Sequence, residues 1–141
     1  MIYNQFHDAI DNLRALNLEH RKAMLEYAPQ MSMAYFAAEF CTVKADIGRR
    51  TGKTEYIRDR ATQDDLIIAA NRTISRNLFS GLPAQVLTPD DLERKAIGGA
   101  IPYFRTIFID EPEMVLRRTS LRNIYMMLAR DNEQTFVMLG S

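Results

Sequence analysis

The chain has 141 residues, the length of one domain, and its 47% apolar content is enough to bury a core without a disulfide framework or a structural metal. Eighteen basic residues balance eighteen acidic ones, so net charge marks no nucleic-acid or membrane partner. The single cysteine, Cys41, excludes an internal disulfide and a cysteine-rich zinc cluster. No apolar run reaches the ~20 residues of a membrane helix, and mean hydropathy is −0.24. The opening MIYNQFHDAIDNLR carries acids where a secretory signal needs an apolar segment. A cytoplasmic, single-domain protein with no membrane partner is expected.

In chain order, residues 5–27 read as an amphipathic helix, with Phe6, Ile10, Leu13, Leu16, Met24 and Tyr27 recurring at helical steps as its apolar face. Pro29 is expected to end it, because the residue before a proline is pushed out of helical geometry. A second helix is expected over 30–39, making residues 1–39 a helical cover on the core that follows. From residue 40 short β-prone runs alternate with helical stretches: FCTVKADI, KTEYIRDRA, DDLIIAA, RTISRNLF, QVLT, PDDLERKAIG, FRTIFID, LRRTSLRNIYMMLAR and TFVMLG. That alternation predicts an α/β three-layer sandwich, a mostly parallel five-stranded sheet with helices on both faces. Continuously apolar runs such as 66–70 and 106–109 fit strands covered on both sides.

Gly48-Arg49-Arg50-Thr51-Gly52-Lys53-Thr54 falls between an expected strand and an expected helix. Phosphate binding wants a flexible backbone with convergent N–H groups, a helix N-terminus, a lysine for the terminal phosphates and a hydroxyl for magnesium. Gly52, Lys53 and Thr54 supply these in order, although the usual spacing places a glycine where Ile47 stands. The other reading of the segment is a basic surface turn with Arg49, Arg50 and Lys53 solvated. A second motif follows 57 residues after Lys53: the apolar run Thr106–Ile109 ends in Asp110 and Glu111. Ligands of open α/β sheets bind beyond such strand ends. Asp110 is placed to hold the magnesium shell and Glu111 to orient or deprotonate an attacking water. The plainer reading is a turn before Pro112. The two motifs together point to ATP.

GRRTGKTEYI resembles the variant phosphate loop of phage terminase large subunits, the DNA-packaging motors, which tolerate a missing first glycine. IFIDEP is similar to their Asp-Glu motif, and to that of superfamily 1 and 2 helicases. Pro29-Gln30 resembles the adenine-reading glutamine motif. IIAANRTIS resembles a helicase segment that touches the nucleic-acid backbone, and TFVMLGS the motif that couples hydrolysis to movement. The resemblance spans residues 29–141 and implies a RecA-like P-loop sheet, ATP and Mg2+ as cofactors, and a DNA-linked role. It further implies Gln30 on adenine, Gly48, Arg49, Arg50, Thr51, Gly52, Lys53 and Thr54 around the phosphates, and Thr54 with Asp110 on the metal. Glu111, Lys53 and Arg49 become the catalytic set, with Arg49 or Arg50 sensing the terminal phosphate. A homo-oligomer or a larger phage assembly, in the host cytoplasm, would be its setting.

A terminase continues into a nuclease domain and a helicase into a second motor domain, whereas Ser141 ends this sequence where the coupling motif would begin. A free-standing ATPase core is therefore expected rather than a complete motor. The competing expectation is a non-hydrolysing interaction protein, a viral accessory factor built on a P-loop scaffold. Arg117, Arg118, Arg122 and Arg130 fall on one expected helix, 116–130, either facing nucleic acid or forming the solvated face opposite Leu121, Ile124, Tyr125 and Leu128. His7 and His20 stand apart from any acid or cysteine pattern, so no metal or base role is expected of them. Cys41 is expected to be inert core, and the eight methionines gap-fillers.

Overall fold

Among the described residues, five runs of mainly β-branched, aromatic and aliphatic residues form one parallel sheet: β1 (Thr42–Asp46), β2 (Leu66–Ile68), β3 (Gln85–Leu87), β4 (Thr106–Asp110) and β5 (Thr135–Gly140). Their spatial order is β1-β5-β4-β2-β3. The computed structural model describes residues 2–46, 48 and 52–140; Met1, Ile47, Arg49, Arg50, Thr51 and Ser141 lie outside the described residues. The central strands β2, β4 and β5 are buried at every position, whereas β1, with β5 on one side only, alternates buried and exposed residues. This is the expected α/β three-layer sandwich with its N-terminal helical segment.

One face of the sheet is covered by α2 (Met33–Phe40), α5 (Pro89–Ile97), α6 (Pro112–Val115) and α7 (Leu121–Leu128), which bury Phe36, Leu92, Val115 and Ile124 against Ile107, Ile109 and Phe136. The other face is covered by α1 (Ile2–Met24), α3 (Lys53–Arg60) and α4 (Arg72–Phe79), with Ile10, Tyr56, Ile57 and Phe79 on Ile67, Phe108 and Leu139. Cys41 is wholly buried, and burial pushes its thiol pKa up, as an inert core residue requires. Phe108, fully buried on β4, meets the edge of Tyr56 and the Arg14 guanidinium 5.6 Å from its ring centre. Phe108→Ala should therefore cost about 3–5 kcal/mol in denaturant titration. A loss below about 1 kcal/mol would be incompatible with that packing.

Three expectations change. α1 ends at Met24, and Pro29 lies within a 3₁₀ segment (Leu25–Gln30) rather than closing the helix, a tighter turn of the kind that often follows an α-helix. The side of α1 turned inward is also only partly the apolar one, Ile10 and Met24 being on it. Leu13 and Leu16 are exposed (41% and 66%), whereas His7, Ile10 and Arg21 are buried. Partners beyond the helix explain this: Asn17 Nδ2 donates to Phe40 O at 3.0 Å, and the Arg21 guanidinium donates to Asn132 O and Thr135 Oγ1 as well as to Asn17 Oδ1 on α1 itself. The two Nη groups of Arg21 are thus bonded, which offsets much of the cost of burying them, while its Nε is buried with no hydrogen-bond partner among the described residues. Finally, 116–130 is not one helix. Ser120, in extended geometry, accepts from Asn123 N through its Oγ and starts α7 anew. Of the four arginines only Arg122 lies on α7, while Arg117 and Arg118 precede it and Arg130 follows it.

Candidate functional site

Both motifs lie beyond the C-terminal ends of their strands. β1 ends at Asp46, and α3 begins at Lys53 after Gly52, whose φ of +82° is a left-handed conformation that suits glycine. Gly48 is left-handed too, at φ +85°. β4 ends at Asp110, and the next residue, Glu111, turns left-handed (φ +50°) to start α6, with Pro112 in its first turn. A left-handed glutamate costs on the order of 1 kcal/mol, a strain of the kind found at functional sites. Its backbone is held by donation from Glu111 N to Leu139 O at 3.2 Å.

β5 lies between β1 and β4, which sets the two motifs two strand spacings apart, roughly 10 Å. The Lys53 side chain bridges that gap: its Nζ is 2.7 Å from Glu111 Oε1, with 8% of the lysine side chain and 30% of the glutamate's exposed. Asp110 is 3% exposed. Its burial first, and the Glu111 charge second, push its carboxyl from the ordinary 3.8 up to about 6, against an opposing pull from Lys53. A desolvated carboxylate of this kind gains from a bound cation. Thr54, the second residue of α3, is half-buried. Asp110 and Thr54 offer oxygen donors of the kind magnesium takes, an ion that needs few protein ligands and completes its shell with water and phosphate. Among the described residues no group of three or more His, Cys, Asp or Glu forms a metal cage.

Of the sequence-predicted site residues, Lys53 and Glu111 are brought into contact, and Asp110 precedes Glu111 in the chain. Gln30, exposed at the end of the 3₁₀ segment, makes no hydrogen bond to the described loop residues or to Asp110 and Glu111. Arg49, Arg50 and Thr51 lie outside the described residues. Nothing in the sequence marks Asp46, and of His7 the sequence predicts only that it has no metal or base role. Asp46 pairs with Gly140 in the β1–β5 register, and its carboxylate lies over that glycine, where a Cβ would oblige the Asp46 side chain to move. His7, on α1, donates from Nε2 to the Gly52 carbonyl at 3.0 Å. A separate open groove of about 840 Å³ lies between α2 and α7, lined by Tyr35, Lys44, Tyr125, Met126 and Met138, with neither Lys53 nor Glu111 among its walls.

No protein-family model matches this chain, and no curated protein matches it.

Proposed function

We propose that this protein binds ATP with magnesium at the turn into α3 and hydrolyses it, in a DNA-linked role similar to that of the terminase and helicase cores its motifs resemble. The observation that carries the proposal is the 2.7 Å contact between Lys53 and Glu111 beside buried Asp110. A lysine at the N-terminus of a helix and a carboxylate pair at the end of a non-adjacent strand meet across a sheet edge where anions are favoured.

In this reading Lys53 holds the terminal phosphates and Arg49 or Arg50 senses the last of them, while Gly48, Thr51 and Gly52 contribute backbone. Thr54 and Asp110 hold the ion, which when bound neutralises phosphate charge and screens the attack. Glu111 orients the water and accepts its proton. Without nucleotide Lys53 neutralises Glu111. Arriving phosphates compete for the lysine and release the carboxylate as a base. Glu111→Gln is accordingly expected to bind Mg-ATP at least as tightly as the parent while turnover falls about 100-fold or more. Equal turnover in a phosphate-release assay would remove Glu111 from the base role.

The same ion pair favours one other reading, because a glutamate held by lysine does not aim a water. The chain would then be a non-hydrolysing interaction protein whose Lys53–Glu111 pair clamps two loop ends. Steady-state ATPase assays with and without DNA separate the readings: negligible turnover in both, with nucleotide bound, favours the docking protein. Sizing by light scattering tests for the oligomer that a DNA motor of this class requires.

A further inference from the structure

We infer that His7 is a positioning residue of the nucleotide site, and that α1 belongs to that site through it. This inference rests on the ATP reading above. His7 is 6% exposed and stands 45 residues before its partner, the Gly52 carbonyl. That carbonyl is the first acceptor of α3, already taking the Tyr56 N–H at 2.8 Å. The imidazole adds a second donor to it and packs edge-on against the Tyr56 ring, 5.4 Å between centroids. His7 therefore fixes the peptide immediately before Lys53.

The neighbouring residues on the same side of α1 hold the rest of α3. Asp11 accepts from the Tyr56 hydroxyl at 2.7 Å and from Arg60 at 2.8 Å, and Arg14 donates to the same hydroxyl at 3.1 Å. Those contacts secure the body of α3, whereas His7 reaches its N-cap. Gly52 needs such an anchor, because its left-handed backbone has the widest conformational freedom of any residue. A carbonyl held on two donors keeps the N–H groups of the first α3 turn pointed outward, where an anion is met. A neutral imidazole protonated at Nε2 suffices for this donation, and no proton transfer is involved.

The test separates the donor from the volume of the ring. His7→Phe keeps an aromatic edge on Tyr56 and removes the donor, His7→Ala is a second donor-less variant, and His7→Gln returns an N–H close to the Nε2 position. Mg-ATP affinity by calorimetry is read with thermal melting and with hydrogen exchange at the Tyr56 amide of the nucleotide-free protein. The expected result is affinity weakened about tenfold or more in His7→Phe, with faster Tyr56 exchange and a cooperative melt, and most of both restored in His7→Gln. If the parent binds Mg-ATP and the cooperatively melting donor-less variants bind it equally well, the role of His7 is overturned and the ATP reading stands. Equal losses in His7→Phe and His7→Gln also overturn it, since ring shape would then be the cause. If the parent itself binds no Mg-ATP, the ATP reading fails and the inference falls with it.

Discussion

Asp110→Asn is expected to make the protein more stable at neutral pH and to abolish magnesium-dependent turnover. The folded-state pKa of Asp110 is raised from 3.8 to about 6. The sign follows from proton counting. Below about pH 4 both folded and unfolded chains hold the proton, and the contribution to stability is full. As pH rises from 4 to 6 the unfolded chain ionises while the folded one resists, so stability falls, and above about 6 the contribution is lost. Two pKa units correspond to about 3 kcal/mol, undiluted by solvent because the residue is 3% exposed. Asparagine cannot ionise and escapes that loss, so its melting temperature at pH 7.5 should exceed the parent's by roughly 10 °C. At pH 4 the gap should close. Adding Mg-ATP should raise the melting temperature of the parent and leave the variant almost unmoved. A variant less stable than the parent at pH 7.5 would mean that the ionised carboxylate is held by partners. Gaining stability while losing the proposed activity is the trade-off expected of an acid kept in place for function.

Lys53→Ala carries the second large effect. It removes the only lysine of the Gly48–Thr54 segment and leaves Glu111 without its 2.7 Å partner. Truncating a buried, hydrogen-bonded cation costs about 2–5 kcal/mol in binding, so Mg-ATP affinity should fall about 100-fold or more. Stability should change far less. The Glu111 side chain is 30% exposed, so water can replace the ammonium. Calorimetry and thermal melting on the same samples distinguish the two effects. Unchanged affinity would sink the assignment of the loop.

The sheet was legible because its strands carry their own signal. Thr106–Asp110 and Thr135–Gly140 are covered on both sides, so their runs are apolar without interruption. Gly52-Lys53-Thr54 also announced itself, since a glycine before a helix start marks a special backbone position. α1 misled for a physical reason. Periodicity weighs apolar residues, but what α1 turns inward is His7, Asn17 and Arg21 beside Ile10, and their partners lie 45, 23 and 111 residues away. Helical spacing read from a single segment cannot register such partners. The lateral order of the strands was hidden: the apolar–polar alternation of VKAD marks β1 as less covered than the central strands, but nothing in it says that β5 separates it from β4. That order decides the site, because it gives Lys53 a gap to cross and Asp46 a glycine to lie over.

The most direct measurement is diffraction from crystals soaked with magnesium and a non-hydrolysable ATP analogue. The expected density places the phosphates against the first turn of α3, an ion within reach of Asp110 and Thr54, and Lys53 drawn away from Glu111 onto the terminal phosphate. At saturating analogue, an unchanged Lys53–Glu111 ion pair with no density at the N-terminus of α3 would contradict nucleotide binding at this site.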